Sequence, residues 1–301
     1  MELRQLRYFV KTAETLNFSE ASRQLFITQS TLSQQIRQLE EELGVELFQR
    51  DSHSVSLTEC GKHLYPSAKR TLQDADSCFT KINDLKEMLS GELNIGITYS
   101  FAPILSEAVR EFTRQYRGVK LNVFCRNMEN LLDKLKRSEL DFVLSFTPMV
   151  LDPEIESHQL FDDQLCAIMK EDHPLADRDI LSIEDLMGQR IALPDKETQA
   201  RNAFDRCFPG ADQKLNTQLE ITSVSILLDL VRENHMITFL SEAALYQSDG
   251  LTAIPLNSPG TKMEGCIHAL KKAYRKRAAE EFIKILTQSS AVMARANKWL
   301  K

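Results

Sequence analysis

Long apolar runs are missing from this chain of 301 residues. No segment approaches the about 18 consecutive apolar residues that a membrane-spanning helix needs. The N-terminal segment MELRQLRYFVKTAETLNF is amphipathic and has no apolar stretch followed by a small-residue cleavage site, which argues against a secretory signal peptide. We therefore expect a cytoplasmic protein that has no membrane partner.

Cysteine is scarce and scattered. The six cysteines stand at positions 60, 78, 125, 166, 207 and 266, and no two of them form a Cys-x-x-Cys pair. This spacing argues against a disulfide framework and against a zinc site, and it fits thiols that stay reduced in the cytoplasm.

Sequence motifs of catalysis are missing as well. The chain has no Walker loop, no nucleophile elbow, no glycine-rich dinucleotide turn and no cluster of metal ligands. His173 precedes Pro174 in a predicted turn, where we interpret it as structural. The sequence thus favours a binding protein without a cofactor over the rival class, an enzyme built on α/β units.

Negative charge is absent from one segment of an otherwise acidic N-terminal region. Residues 1–60 carry six Arg/Lys and nine Asp/Glu, a net charge of −3, which by itself would not indicate a nucleic-acid-binding protein. Residues 21–39, however, contain Arg23 and Arg37 and no carboxylate. A surface that meets phosphates needs this kind of gap in the acidic residues.

The segment SEASRQLFITQSTLSQQIRQLEEEL, residues 19–43, predicts two helices joined by a tight turn. Ser19 is the expected N-cap of the first helix, Thr28 or Ser30 that of the second, and Gly44 its C-terminal stop. In the second helix one apolar stripe recurs at helical spacing and should be buried. The stripe consists of Leu32, Ile36, Leu39 and Leu43.

The opposite face of the second helix is polar and free of carboxylates, which suits a helix that reads base edges in the major groove. The alternative is an ordinary solvated face of an amphipathic helix pair. The candidate DNA-binding residues on and before this helix are Thr28, Gln29, Ser30, Thr31, Ser33, Gln34 and Arg37.

A wing should follow this helix pair. Residues 47–50 and 55–57 are strand candidates around a turn-like loop. Arg50 and His53 are candidate contacts to the DNA backbone or the minor groove. For His53 an exposed hairpin tip without a contact is the alternative.

Thr58 should open a long helix that runs to about residue 89. Its apolar residues recur with the rhythm of a helix that packs along a seam, which predicts pairing with the same helix of a second chain. Packing against the chain's own helices is the alternative. The seam consists of Ala68, Leu72, Ala75, Phe79 and Ile82.

Beyond Gly91, strand and helix patterns alternate, as in α/β units with a largely parallel sheet. Strands are predicted at 93–97, 121–125, 142–146, 165–169, 190–193, 219–221, 237–240 and 265–271, and helices at 101–116, 129–138, 182–187, 198–207, 224–233 and 278–296.

The quoted N-terminal residues resemble the LysR-type transcriptional regulators. The match is dense over LRYFVKTAETLNFSEASRQLFITQSTLSQQIRQLEEELGVELFQR and VSLTECGKHL, and weaker motifs follow at GELNIGIT and HPLA. The resemblance implies a winged helix-turn-helix DNA-binding domain at 1–58, a linker and dimerisation helix at 59–90 and an effector-binding domain at 91–301. It implies that the last domain resembles periplasmic binding proteins, with subdomain I at 91–160 plus 267–301 and subdomain II at 161–266.

Members of this family hold a small-molecule effector in the cleft between the two subdomains, beyond the carboxyl ends of the strands. Arg201 could neutralise an anion there, or could be a surface or capping charge. Taken singly, each Ser or Thr fits a helix cap better than a ligand, so the prediction rests on their joint position in one cleft. The candidate effector ligands are Thr98, Tyr99, Ser100, Phe101, Phe146, Thr147, Thr198, Gln199, Arg201 and Ser223.

The chain departs from the family pattern at several positions. Ser30 and Gln34 stand where proline and arginine are common, which should change the base preference. Cys207 is close to the second cysteine of peroxide-sensing members, but Thr198 stands in place of the first, so a disulfide switch is not expected. Residues 146–161 and 221–234 look somewhat like those of the cyanate-operon activators.

The expected function is a sequence-specific transcription regulator that binds double-stranded promoter DNA as a homodimer or homotetramer and responds to a small, anionic effector. RNA polymerase is a further expected partner if the protein activates transcription.

Overall fold

The computed structural model describes residues 1–50, 54–85, 90–246 and 248–296. The chain divides into two compact units, Met1–Glu87 and Met88–Lys301. The first unit is a winged helix-turn-helix module followed by a long helix, and the second is an α/β domain. No helix among the described residues is both long and apolar enough to cross a membrane.

The first unit contains four helices and a short hairpin in its described part. These are α1 Leu3–Thr15, α2 Phe18–Gln24, α3 Gln29–Leu43, β1 Phe48–Arg50, β2 Val55–Leu57 and α4 Glu59–Leu85. Strands β1 and β2 pair antiparallel, with Gln49 opposite Ser56, and form the predicted wing.

Capping side chains set the helix-turn-helix boundaries. The N-cap of α2 is Asn17, whose side chain accepts a hydrogen bond from Glu20 N, so the prediction of Ser19 is wrong. Ser19 lies inside α2, because the asparagine two residues earlier already satisfies a free N–H of the first turn. Of the two alternatives for α3, Thr28 is the cap, and Gly44 ends the helix in the left-handed conformation at φ 69°.

The predicted stripe of α3 is buried over most of its length. Leu32, Ile36 and Leu39 are inaccessible and belong to one core with Phe9 and Phe48. Leu43 is 39% exposed, and its predicted burial is wrong. It lies in the last turn of α3, where residues 41–46 are all exposed, beyond the reach of the core.

The long helix α4 begins after Thr58, whose hydroxyl accepts a hydrogen bond from Gly61 N at 3.0 Å. Ala68 and Leu72 are buried in the core of their own unit, as the alternative interpretation of the seam requires. Ile82 is 53% exposed and remains available to a partner. The side chain of Phe79 and residues 86–89 lie outside what the structure describes.

Three parallel strands open the second unit, but the seven-stranded sheet to which they belong is mixed, so the prediction of a largely parallel sheet is wrong. The third of these strands pairs antiparallel with the strand beyond it, and the pairings that follow are antiparallel too. The first elements of the unit are β3 Gly91–Ile97, α5 Ala102–Gln115, β4 Val119–Cys125, α6 Met128–Lys136 and β5 Phe142–Phe146. Strand β3 lies between β4 and β5 and pairs with both in parallel. The helices therefore cross between strands on the sheet faces, and the carboxyl ends of the three strands meet at one edge.

Strand β6, Ile155–Lys170, is longer than the predicted strand at 165–169. Its first part pairs antiparallel with β11, Lys262–Leu270, and its last part with β9, Thr238–Ser241, and β10, Leu251–Pro255. This one strand is therefore shared by both halves of the unit. Its first half was not recognised because polar residues interrupt the apolar pattern there, and β10 was not predicted at all.

The remaining elements build the second half of the unit and the return to the first. They are β7 Arg190–Pro194, α7 Gln199–Cys207, α8 Ala211–Lys214, β8 Asn216–Ile221, α9 Val224–Asn234, α10 Arg277–Thr287 and α11 Ser290–Ala296. The helix predicted at 182–187 is a single 3-10 turn, Glu184–Leu186. The final helix predicted at 278–296 is divided between α10 and α11, because the Ser289 hydroxyl donates to Leu286 O and Ser290 begins a new helix.

The last helices pack back on the first half of the unit. The Phe112 ring on α5 lies 5.2 Å from the Phe282 ring on α10, and Phe142 on β5 lies 5.8 Å from the same ring. One large core of buried apolar residues thus joins these helices to both halves of the unit, and α6 packs in a second, smaller cluster with Val143 and Ile155.

Candidate DNA-binding surface and effector cleft

The polar face of α3 is accessible where the sequence predicted contacts with DNA. Its predicted residues are exposed apart from Ser33, which is half-buried; the exposed ones are Thr28, Gln29, Ser30, Thr31, Gln34 and Arg37. Their neutral donors and acceptors are the kind that reads base edges in the major groove.

Hydroxyl groups cluster at the start of α3. The Thr28 hydroxyl lies 2.9 Å from that of Ser30 and 2.8 Å from that of Thr31, and it accepts from Thr31 N at 3.2 Å. The Gln29 amide oxygen accepts from the Ser19 hydroxyl at 2.8 Å, which links α2 to α3. These contacts hold the first turn of the helix in a fixed arrangement before any ligand binds.

The two predicted cations of this unit differ in their surroundings. Arg37 is exposed, and its ion pair with Glu41 at 3.1 Å is weakened by solvent. Arg50 pairs with the largely buried Glu40 at 2.9 Å and lies over the Phe18 ring at 4.8 Å. Glu40 also accepts from Leu47 N and Phe48 N, so Arg50 belongs to a network that holds the wing. His53 lies outside the described residues.

A cleft opens in the second unit at the carboxyl edge of the parallel strands. It contains about 340 Å³ of empty space, including space open to solvent. Five of the predicted effector residues line it, namely Thr98, Tyr99, Ser100, Thr198 and Gln199. The other lining residues are not among the candidate effector ligands; they are Arg126, Asn127, Met128, Glu197, Ala200, Val224 and Leu240.

Three helical segments begin at this cleft. Thr98 precedes the 3-10 turn Tyr99–Phe101, Thr198 is the N-cap of α7, and Val224 is the first residue of α9. The free N–H groups and dipoles of helix N-termini attract negative groups. Among the described residues, no hydrogen-bond partner is found for the buried Thr98 hydroxyl. A buried polar atom of this kind usually has a hydrogen-bond partner, which a ligand or a water molecule would supply here.

Three of the lining residues that the sequence analysis missed follow strand β4. Arg126, Asn127 and Met128 come directly after its carboxyl end, where the same positional rule that selected Thr98 would have found them. Asn127 donates from its side chain to the carboxylate of Glu197 across the cleft. Both a guanidinium and a carboxylate therefore lie at its margin.

Gln199 joins the two halves of the unit. Its amide oxygen accepts from Phe146 N at 3.1 Å, and its amide nitrogen donates to Phe146 O at 2.9 Å. Phe146 thus takes part through its main chain, while its ring is buried in the core. Thr198 is occupied as a cap: its hydroxyl accepts from Arg201 N and donates to Asp195 O.

Other predicted effector residues lie away from the cleft lining. The Phe101 ring is in the core, 5.1 Å from the Phe146 ring. The Thr147 hydroxyl donates a hydrogen bond to the side-chain carboxylate of Glu264 at 3.2 Å. Ser223 caps α9 and accepts from Ile226 N at 3.5 Å, next to the lining residue Val224.

Arg201 is placed inside the protein rather than in the cleft. Its side chain is 1% exposed and pairs with Asp205 at 2.8 Å and with Glu220 at 3.3 Å. It also donates to Pro194 O at 3.2 Å. The guanidinium thus ties α7 to β7 and β8, so it has a structural function that neither of the two predicted roles described.

Cys207 is half-buried near the end of α7. Burial raises the pKa of its thiol, and a hydrogen bond with Ser258 opposes that rise only in part. A thiol with a raised pKa is a poor nucleophile at neutral pH. Among the described residues, no group of three or more His, Cys, Asp or Glu is arranged to hold a metal ion.

Comparisons with known proteins agree for both units. The family model "Bacterial regulatory helix-turn-helix protein, lysR family" matches residues 3–62, and "LysR substrate binding domain" matches residues 86–291. The DNA-binding transcriptional dual regulator OxyR of Escherichia coli (strain K12) is 29% identical over 307 residues, which cover 96% of this chain and 100% of that protein. The HTH-type transcriptional regulator EstR of Acinetobacter baylyi is 30% identical, with 81% of this chain and 80% of that protein covered.

Solved structures show the same fold. A full-length variant of OxyR from Pseudomonas aeruginosa has a TM-score of 0.74 at 23% identity and covers 97% of this chain, 96% of its own. Full-length CbnR complexed with its target DNA has a TM-score of 0.68 at 18% identity and covers 96% of this chain, 100% of its own. The relatives are transcription regulators rather than enzymes, and the similarity to cyanate-operon activators stays a prediction. The chain belongs to the LysR family of DNA-binding transcriptional regulators.

Proposed function

We propose that this regulator binds a small anionic effector in the cleft of its second unit and that effector binding changes its affinity for promoter DNA. The observation that carries the proposal is the cleft at which three helical segments begin beside the buried Thr98 hydroxyl, for which the described residues provide no partner. An anion would accept hydrogen bonds from the free N–H groups and from this hydroxyl at the same time.

The charges at the cleft favour a ligand that is anionic at one end. Arg126 supplies a positive side chain, whereas Glu197 is engaged by Asn127. The hydroxyls of Thr98 and Ser100 are the neighbouring donors on the first half of the unit. A small carboxylate or an inorganic anion suits this set of donors, and cyanate is one such anion.

For DNA recognition, we propose that the exposed face of α3 enters the major groove. Ser30, Ser33 and Gln34 are neutral, and a glutamine pairs well with adenine. Thr28, Gln29, Thr31 and Arg37 would position the helix on the duplex. The cytoplasm is the proposed location, and RNA polymerase is a partner if the protein activates transcription.

We further propose that the chain acts as a homodimer or homotetramer through α4. The exposed Ile82 and the half-buried Ala75 continue the predicted seam beyond the part that is buried in its own unit. Pairing of two such helices would bury these apolar side chains and present two α3 helices to a two-fold DNA site.

A thermal-shift screen against small carboxylates, cyanate and inorganic anions tests the effector proposal. A ligand of the cleft should raise the melting temperature in proportion to the logarithm of its concentration. Thr98→Val has nearly the same shape but lacks the hydroxyl, so it should weaken this response by about tenfold in concentration. Thr113→Val, on the exposed surface of α5, is the matched control and should respond as the parent does.

Two results would contradict the effector proposal. One is an equal response of Thr98→Val and the parent protein to every anion that binds. The other is a change of DNA affinity caused by peroxide rather than by any anion, since it would indicate a thiol sensor.

A further inference from the structure

Phe26 is the most exposed of the large apolar side chains in the part of the chain that the structure describes. It is 95% exposed and stands in the turn between α2 and α3. Its neighbours Leu25 and Ile27 both pack against the core of the first unit. The turn therefore leaves Phe26 pointing outward, where its ring gains nothing from burial.

The backbone at Phe26 adds a second cost. Its φ of 56° is left-handed, a conformation that suits glycine or asparagine and disfavours a bulky residue. The turn is held in this form by hydrogen bonds from Phe26 N to Arg23 O at 3.2 Å and from Ile27 N to Ser22 O at 3.1 Å. Neither the fold nor its solubility explains a phenylalanine at this position, so a partner outside the chain is the physical explanation to seek.

The surroundings of Phe26 are those of a surface that meets DNA. It lies two residues before Thr28, the cap of α3, and the sequence from residue 21 to 39 has no carboxylate. Because Phe26 lies outside the helix that would enter the groove, its ring would lie against the wall of the groove rather than its floor. The wall consists of alternating phosphates and sugars, and the sugars are its apolar part.

We infer that Phe26 packs against a deoxyribose of the DNA backbone beside the groove that α3 enters. The inference rests on the proposed reading role of α3. The contact would fix the depth and direction of the helix on the duplex without reading sequence. Since the ring carries no charge, the contact releases no counterions and should add affinity that does not depend on salt.

The test measures binding of full-length protein to a duplex that the parent protein has selected from a random pool, and to an unrelated duplex. Phe26→Ala should weaken both by about tenfold, which corresponds to about 1.4 kcal/mol. The slope of log Kd against log salt concentration should stay unchanged. Leu43→Ala, an exposed leucine at the other end of α3, is the matched control and should bind both duplexes as the parent does.

Phe26→Asn separates the contact from the fold. Asparagine suits the left-handed turn, so this variant should melt at the same temperature as the parent or higher, while its DNA affinity falls as that of Phe26→Ala does. A loss of affinity that follows a lower melting temperature in both variants would overturn the inference.

Other outcomes overturn it as well. An unchanged Kd shows that the ring does not touch DNA. A loss that disappears when deoxyuridine replaces thymidine shows a contact with the thymine methyl group instead of the sugar. If Ser33→Ala and Gln34→Ala lose DNA affinity but the Phe26 variants do not, α3 reads the DNA and the contact by Phe26 is overturned. If the parent protein enriches no duplex from the pool, the proposed DNA recognition itself is overturned.

Discussion

At the scale of single residues, burial decides what Arg201 does. The sequence places it in the first turn of α7, next to residues that line the cleft, and so suggests an anion ligand. Its side chain instead points into the protein, where Asp205, Glu220 and Pro194 O occupy it. The sequence predicted correctly that residues just before Arg201 line the cleft, but the direction of a side chain depends on packing that a single sequence does not reveal.

Arg201→Met should therefore destabilise the second unit without removing the response to an anion. The substitution fills most of the volume but leaves Pro194 O without its donor, and about 2 kcal/mol of unfolding free energy should be lost. The partly exposed Asp205 and Glu220 can be hydrated, which limits the loss. Urea unfolding measures it, with the exposed Arg206→Met as control. Unchanged stability together with a lost anion response would restore Arg201 as a ligand.

At the scale of secondary-structure elements, caps and strand ends were predictable where one residue dominates. Gly44 ends α3 as expected, and Thr28, one of the two candidates, caps its start. Asn17 instead of Ser19 caps α2, because both residue types are good caps and they stand only two positions apart. The first half of β6 escaped prediction, since its pairing with β11 comes from a segment about a hundred residues later. Long-range pairing of this kind leaves little trace in local periodicity.

Gln199 connects two secondary-structure elements at the cleft, α7 and β5. Its amide satisfies both main-chain groups of Phe146, so α7 is held to the end of β5. Gln199→Ala should free both groups and let the cleft open more often. Exchange of the Phe146 N–H, followed in the peptide segment 142–148, should then accelerate by about tenfold, because this N–H loses its hydrogen bond to Gln199, worth about 1.4 kcal/mol.

Gln288→Ala, at the exposed end of α10, is the control for Gln199 and should leave this exchange unchanged. Equal protection of the segment in Gln199→Ala would show that the amide contact contributes nothing to holding the two elements together.

At the scale of the whole molecule, β6 is the strand that the two halves of the second unit share. Asp163 lies in it just before the point where its partners change from β11 to β9. The carboxyl group is buried and accepts from Gln164 N at 2.8 Å and from Ala243 N at 3.1 Å. Burial raises its pKa to about 6, while these hydrogen bonds and the charge of Arg295 oppose the rise and Glu242 adds to it.

This raised pKa makes the stability of the unit depend on pH. In the unfolded chain an aspartate has a pKa of about 3.9, so between about pH 4 and 6 the folded protein binds the additional proton. The stabilisation is complete below about pH 4 and is lost as the pH rises through about 6, because the buried carboxyl must then ionise.

Asp163→Asn remains neutral throughout and should remove about 2–3 kcal/mol of this variation. Unfolding by urea at pH 4, 5, 6 and 7 measures it, and Asp162→Asn, at the adjacent half-buried position, should retain the dependence of the parent. If Asp163→Asn and the parent lose the same free energy between pH 4 and 7, another group is responsible, and the shared strand does not carry the titration.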